Sequence, residues 1–209
     1  MSIFGRWRMP SSTGIPEDAA LMTRVMAGDA TAFAQLVERH EQGLYNYLQR
    51  MVQDEALAAD LMQETWLRVF QYARHYDASR TFTPWLFAIA YRCCIDALRW
   101  QRRYDHSHQA AARVSPWPSS NMGDPQHALL AQETLTAIRA AVKALPPPQR
   151  AVFLLRHYHG LSYQEISEVV DCPVGTVKSR MHHAVRHLQR TLAAWEVGDV
   201  PLGAPPKTE

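Results

Sequence analysis

Apolar residues recur along this chain at intervals of three and four, not two. Across residues 18–103 the stripe runs Leu21, Val25; Phe33, Leu36, Val37; Leu44, Tyr47, Leu48, Met51; Leu57, Leu61; Trp66, Val69, Phe70; Trp85, Ile89; Ile95, Leu98. That period predicts amphipathic helices. Gly28-Asp29 and Asp54 are breaks, and "DASRTFTP" (77–84) is a polar loop with Pro84 suited to the first turn of the next helix. Periodicity stops over 104–125, where "SPWPSSNMGDP" has the composition of a linker. It resumes over 126–195, broken at Pro146-Pro147-Pro148, His159-Gly160 and 171–175. No strand alternation and no internal repeat stand out. The expected fold is all-α: two small helical domains, 18–104 and 126–195, joined by a flexible linker, 105–125. A flexible leader (1–17, with Pro10, Gly14 and Pro16) and a disordered tail (196–209) complete the chain.

The stretch "LSYQEISEVVDCPVGTVKSRMHHAVRHL" (161–188) carries acids first and bases last. Ser162 and Glu165 have the spacing of a capping box. Ile166, Val169 and Val170 form the buried stripe of a short helix. Pro173 and Gly175 predict a turn, and Thr176 opens a second helix that buries Val177, Met181, Ala184, Val185 and Leu188. Its other side shows Lys178, Ser179, His182, His183, Arg186 and Arg190. Between Cys172 and Ala194 there are four Lys or Arg and no acid, so this basic face is unopposed. Two helices joined by a short bend form a helix-turn-helix, whose second helix suits the DNA major groove. Lys178 can donate to guanine and Ser179 can donate or accept. Arg186 and Arg190 suit phosphates, and Tyr163 and Gln164 lie where the first helix crosses the backbone. A bundle with a solvated basic face is the bland alternative.

In the first domain, "FTPWLFAIAYRCCIDALRWQRRY" (82–104) interleaves Phe82, Trp85, Phe87, Tyr91, Trp100 and Tyr104 with Arg92, Arg99, Arg102 and Arg103. Unpaired bases stack on aromatic faces while arginines follow phosphates, and the "DASRTF" loop can wall a pocket for an extruded base. Trp85, Ile89 and Leu98 equally suit a core. In "ADLMQETWLRVF" (59–70), Asp60, Gln63 and Glu64 share a helix face beside Leu61, a surface able to dock a basic partner helix.

Composition changes this picture little. The 209 residues carry a net charge of +2, so only charge distribution argues for a polyanionic partner. Three cysteines do not make a disulfide framework and suit a reducing compartment. No run of about 18 apolar residues predicts a membrane span, and no signal peptide is read. Ten histidines raise the question of metal, but His183 and His187 lack evident third and fourth ligands. No Gly-rich phosphate loop, nucleophile elbow or paired catalytic carboxylates are present, so neither catalysis nor a cofactor is expected.

Three segments in order, "DLMQETWLRVFQ", "PWLFAIAYRCCIDALR" and "LPPPQRAVFLLRHYHGLSYQEISEVVDCPVGTVKSRMHHAVRHL", resemble bacterial sigma factors of the sigma-70 family, extracytoplasmic-function group. The resemblance spans residues 18–192. It implies an alternative sigma factor, not an enzyme, that binds core RNA polymerase and opens specific promoters. It further implies that Asp60, Leu61, Gln63 and Glu64 meet the β′ clamp helices. Ser79, Arg80, Phe82, Trp85, Arg92, Arg99, Arg102 and Arg103 would melt and hold the minus-10 element. Tyr163, Gln164, Thr176, Lys178, Ser179, Arg180, His182, His183 and Arg186 would read the minus-35 element. The stretch 145–158 would help hold the β flap, with Arg150 and Arg156 near phosphates. An anti-sigma factor, frequently membrane-bound, is an implied partner, which places the chain in the cytoplasm or at the inner membrane face. The family often has Asn where Arg92 stands, and Arg where Ala88 and His183 stand, which bears on base preference. An autonomous helix-turn-helix regulator accounts for the second domain equally well but leaves "DLMQETW" without a role. A zinc hydrolase using the His cluster is a third reading.

Overall fold

A computed structural model of the chain describes residues 15–107 and 137–196. Most of the expected leader, linker and tail lies outside these residues. All regular structure described is helical: α1 (Ile15–Met26), α2 (Ala30–Val52), α3 (Glu55–Tyr72), a 3-10 turn (Ala73–His75), α4 (Phe82–Ser107), α5 (137–144), α6 (Pro147–Tyr158), α7 (Tyr163–Val169) and α8 (Val174–Glu196).

The breaks arise from local chemistry. Asp29 caps α2, its Oδ1 accepting from the amides of Thr31 (2.9 Å) and Ala32 (3.1 Å). Arg24 donates to the other oxygen from Nε (2.9 Å) and Nη2 (2.7 Å), tying the end of α1 to the same cap. Both kinds of hydrogen bond hold the Asp29 carboxyl below its usual range, that from Arg24 most strongly. Asp54 caps α3 through the Leu57 amide at 3.0 Å. Asp18, nearly buried, accepts from His40 Nε2 (2.8 Å) and Arg39 (3.3 Å) and so ties α1 to the middle of α2. Pro147 opens α6, where the amide it lacks has no helical partner. The capping box forms: the Ser162 amide donates to Glu165 (2.7 Å) and the Glu165 amide to Ser162 Oγ (3.2 Å).

The turn between α7 and α8 differs from expectation. The left-handed residue is Asp171 (φ 51°), a type whose short polar side chain tolerates that region. Gly175 sits inside the first turn of α8 with open space where a Cβ would go, and α8 begins at Val174 just after Pro173.

Met22, Leu36, Leu44, Tyr47, Leu48, Met51, Phe82 and Leu86 fill the first unit. Leu145, Leu154, Leu155, Ile166 and Val177 fill the second. The two units are not held apart: α6 packs on α2, α7 packs on α4, and their buried side chains form one continuous cluster. The Arg150 guanidinium spans the joint. It donates to the Met51 carbonyl at the C-terminal end of α2 and, from Nη2, to the carbonyls of Lys143 (2.7 Å) and Leu145 (3.0 Å). Helix C-termini leave carbonyls without helical partners, and a cation there also meets the negative end of the helix dipole.

Removing the α7 cap tests how far this small helix depends on it. Ser162→Ala is expected to lower the unfolding free energy by ~1 kcal/mol, seen as an earlier urea midpoint with unchanged slope.

Candidate nucleic-acid and polymerase interfaces

Helix α8 presents a cationic face by burying the opposite one. Val177, Met181, Ala184 and Leu188 are buried at spacings of three and four, and Val185 is half-buried beside them. Lys178, Ser179, His182, His183 and Arg186 are therefore exposed together. No acid lies among them. Ser179 Oγ donates back to the Thr176 carbonyl (2.9 Å), which leaves the hydroxyl oxygen free to accept. The His182 and His183 rings stand edge to face, 5.9 Å apart.

Arg180 separates from this set. It points to the flank of α8, donates to Cys172 Sγ at 3.4 Å, and lines a groove against α4. Thr176 is half-buried on the same flank. On α7, Gln164 is exposed, whereas Tyr163 is half-buried with the Arg156 guanidinium 5.4 Å from its ring. Arg156 also donates to the Leu161 carbonyl (2.9 Å), so it steadies the α6–α7 corner. Arg150, expected near phosphates, is instead 8% exposed and committed to three backbone carbonyls. Its burial pushes its pKa down to about 10, still well above neutral pH.

The minus-10 set divides between surface and core. Asp77 Oδ1 accepts from the Ser79 amide (3.0 Å) and hydroxyl (2.7 Å), which fixes the loop and holds the Asp77 carboxyl below its usual range. Arg80 is exposed on that loop, 3.7 Å from Asp77 and 3.6 Å from Glu168 of α7. Arg92, Arg99, Arg102 and Arg103 are exposed on α4. The first three line the groove shared with α8, a space of about 590 Å³ that also contains Arg68, Asp96 and Asp171. Trp85 is half-buried, its ring 5.1 Å from Tyr76 and 6.0 Å from Phe82. Phe82 is a correction: at 1% exposed it packs on His40 and Tyr76 and has no surface to offer a base.

On α3, Asp60 and Gln63 are exposed, and Glu64 accepts from Arg68 Nε at 2.7 Å. Leu61, expected on this face, is 7% exposed and belongs to the core beneath it. The same face continues through Leu67 (51% exposed) and Phe70 (59%), the latter expected in the core. Phe70 stands edge-on to Phe33, 5.5 Å away. The signal for both was their spacing of seven and ten from Asp60. Exposed Trp100 and Tyr104 stack near the end of α4, with ring centroids 5.4 Å apart. Among the described residues, no three His, Cys, Asp or Glu come together as metal ligands, and no helix is long and apolar enough to cross a membrane.

Residues 36–104 match the family model described as Sigma-70 region 2, and residues 135–188 the one described as Sigma-70, region 4. The chain is 30% identical over 174 residues to the ECF RNA polymerase sigma factor SigW of Bacillus subtilis strain 168, covering 81% of this chain and 93% of that protein. It is 28% identical over 181 residues to the RNA polymerase sigma-H factor of Pseudomonas aeruginosa, covering 84% and 94%. In fold it is similar to the sigma factor RpoE of Bartonella quintana, solved in complex with the anti-sigma factor NepR. The TM-score is 0.65 at 21% identity, over 77% of this chain and 96% of that one.

The position of Phe82 yields a direct check. Phe82→Ala is expected to destabilise the fold by ~3–5 kcal/mol, as truncation of a fully buried aromatic does. Unchanged stability with failed promoter opening would return this ring to the DNA-facing set.

Proposed function

We propose a division of labour between the two units of this chain, which belongs to the sigma-70 family of RNA polymerase sigma factors and to its extracytoplasmic-function group. It is an alternative sigma factor that directs promoter-specific transcription initiation, and it is not an enzyme. The unit at 126–195 reads the minus-35 element as closed duplex. The observation that carries this is the unopposed cationic face of α8 behind a capped α7. Lys178, Ser179, His182 and His183 reach base edges, while Arg186 and Gln164 meet the backbone. Arg180 and Thr176, on the flank, position α8 against the rest of the fold. The imidazole of His183 lacks the parallel donors with which arginine forks to guanine, so the base preference there follows from a single hydrogen bond.

The unit at 18–104 opens and holds the minus-10 element. Ser79 and Arg80 form the capture loop, Trp85 supplies the stacking edge, and Arg92, Arg99, Arg102 and Arg103 track phosphates along α4. Asp60, Gln63 and Glu64, extended by Leu67 and Phe70, take the clamp helices of the β′ subunit. Polar contacts set the register there, and the two exposed apolar side chains supply area to bury. The energy for opening comes from binding and stacking, with no chemical step. We also propose that an anti-sigma factor holds the chain inactive, at the inner membrane face when that partner is membrane-bound. The NepR complex of the Bartonella relative supports such a partner.

Purified chain added to core polymerase is expected to create new start sites on a set of genomic promoters. No new start sites would overturn the reading. Within that assay, Lys178→Ala is expected to lose ~1–3 kcal/mol of discrimination at one base pair of the minus-35 element. Equal weakening on every promoter variant would reassign Lys178 to a phosphate. Trp85→Ala is expected to fail on duplex templates and to recover on pre-melted ones, with thermal unfolding measured alongside to separate opening from folding.

A further inference from the structure

The groove between α4 and α8 has the size of a small-molecule site: about 590 Å³, against ~300–1,000 Å³ for pockets of that kind. Five guanidinium groups line it: Arg68 from α3, Arg92, Arg99 and Arg102 from α4, and Arg180 from α8. They share it with two carboxylates, Asp96 and Asp171. The functional reading above uses the three α4 arginines for phosphates. It gives no ligand to Arg68 or Arg180 and no role to the walls between them.

The positive charge in the groove is not neutralised from within. Arg92 and Arg102 make no ion pair among the described residues. Arg180 donates to Cys172 Sγ at 3.4 Å and to no carboxylate. Arg99 lies 4.0 Å from Asp96, both side chains more than half exposed. Only Arg68 has a close partner, Glu64, at 2.7 Å. Tyr91 shows where the cations converge. Burial raises its pKa, while Arg180 from α8 and Arg99 from α4 pull the other way. A cleft lined by one sign of charge, with low-dielectric walls, focuses its field on an anion.

One phosphate does not account for this site. Arg92 to Arg102 covers ten residues of α4, roughly 15 Å along the axis at ~1.5 Å per residue. Several linked phosphates span such a row of donors better than one. The walls add a second requirement. Ile95 and Leu98 of α4 and Pro147 and Pro148 of α6 line the same groove, each half-buried. A bare polyanion gains nothing from them. A flat base packs on aliphatic and proline faces, while its edge and the ribose hydroxyls can donate to carboxylates such as Asp171.

We propose that this groove binds a nucleoside polyphosphate, with its phosphates on Arg99 and Arg180 beside Tyr91 and its base against Leu98, Pro147 and Pro148. Guanidinium groups suit the ligand because they grip phosphate oxygens in pairs. The site goes beyond the promoter reading, and its test needs neither polymerase nor promoter.

The full chain is titrated with GTP by calorimetry, without magnesium, and one saturable site per chain is expected. Tripolyphosphate is expected to bind at least ~tenfold more weakly, because it leaves the apolar wall uncovered. Arg99→Gln and Arg180→Gln are each expected to lower GTP affinity ~tenfold, the worth of a hydrogen bond between charged groups. Arg103→Gln, on the same helix but outside the groove, is expected to change it less than ~twofold. Thermal unfolding is read for each variant, so that lost affinity at an unshifted midpoint belongs to the site. The comparison of GTP with tripolyphosphate on the wild-type chain stands whether or not a variant folds. Absence of saturable GTP binding, equal affinity for tripolyphosphate, or an equal loss in Arg103→Gln overturns the proposal. So does a short single-stranded DNA that binds more tightly than GTP, which gives the groove to a nucleic-acid strand instead.

Discussion

The Arg150 guanidinium is the interaction on which the arrangement of this molecule depends. A buried cation carries a desolvation penalty of several kcal/mol unless its donors are met. Here two of its nitrogens are met by backbone carbonyls alone, one from the end of α2 and two from the α5–α6 connection. No carboxylate is among these partners, so no second charge has to be buried. The arrangement still leaves Arg150 Nε without a partner and lowers the pKa of the group. Proline at the start of α6 and a left-handed Gln53 (φ 62°) after α2 expose the carbonyls that the guanidinium collects. Helix ends, not side-chain ion pairs, thus fix how the two units meet.

The same joint is incompletely satisfied. Burying a polar atom without a partner costs about 1–3 kcal/mol, and His159 Nε2, the nearby Tyr47 hydroxyl and, at the other end of α6, Arg150 Nε each lack one. Against them stand the ring contacts of His159, the apolar α7 stripe on α4, and the Arg150 hydrogen bonds. Inside the first unit the core of α2, α3 and α4 is mostly apolar; the Thr65 hydroxyl donates to the Leu61 carbonyl at 2.6 Å, while the Tyr47 hydroxyl and Trp66 Nε1 are buried without partners.

Local chemistry was legible in the sequence; the choice of neighbours was not. Ser162 and Glu165 specify a capping box because both partners lie within one turn. The buried stripe of α8 follows from its period, since one face of an isolated helix must be covered. Period alone does not say which apolar residue lies at the edge of that cover. Phe70 and Phe82 have equal hydrophobicity, yet Phe70, near the end of α3, meets the Phe33 ring at its edge and stays 59% exposed, while Phe82 starts its own helix buried against His40 and Tyr76. Pro173 and Gly175 mark a turn, but the residue that takes the left-handed conformation is Asp171, whose side chain competes with glycine for that role. Arg150 reads as one more surface base because its partners are main-chain carbonyls, one of them 99 residues away, and these leave no trace in composition.

The charged contact across the joint is peripheral to the buried ones. Glu168 of α7 places its carboxylate 3.6 Å from Arg80 of the first unit. That pair is exposed on both sides, so it contributes little by itself and weakens further with salt. Promoter binding weakens with salt as well, because each phosphate contact releases a counterion. The Arg150 and His159 contacts are buried and respond far less. Rising ionic strength therefore weakens the Arg80–Glu168 pair and leaves the buried contacts between the two units in place.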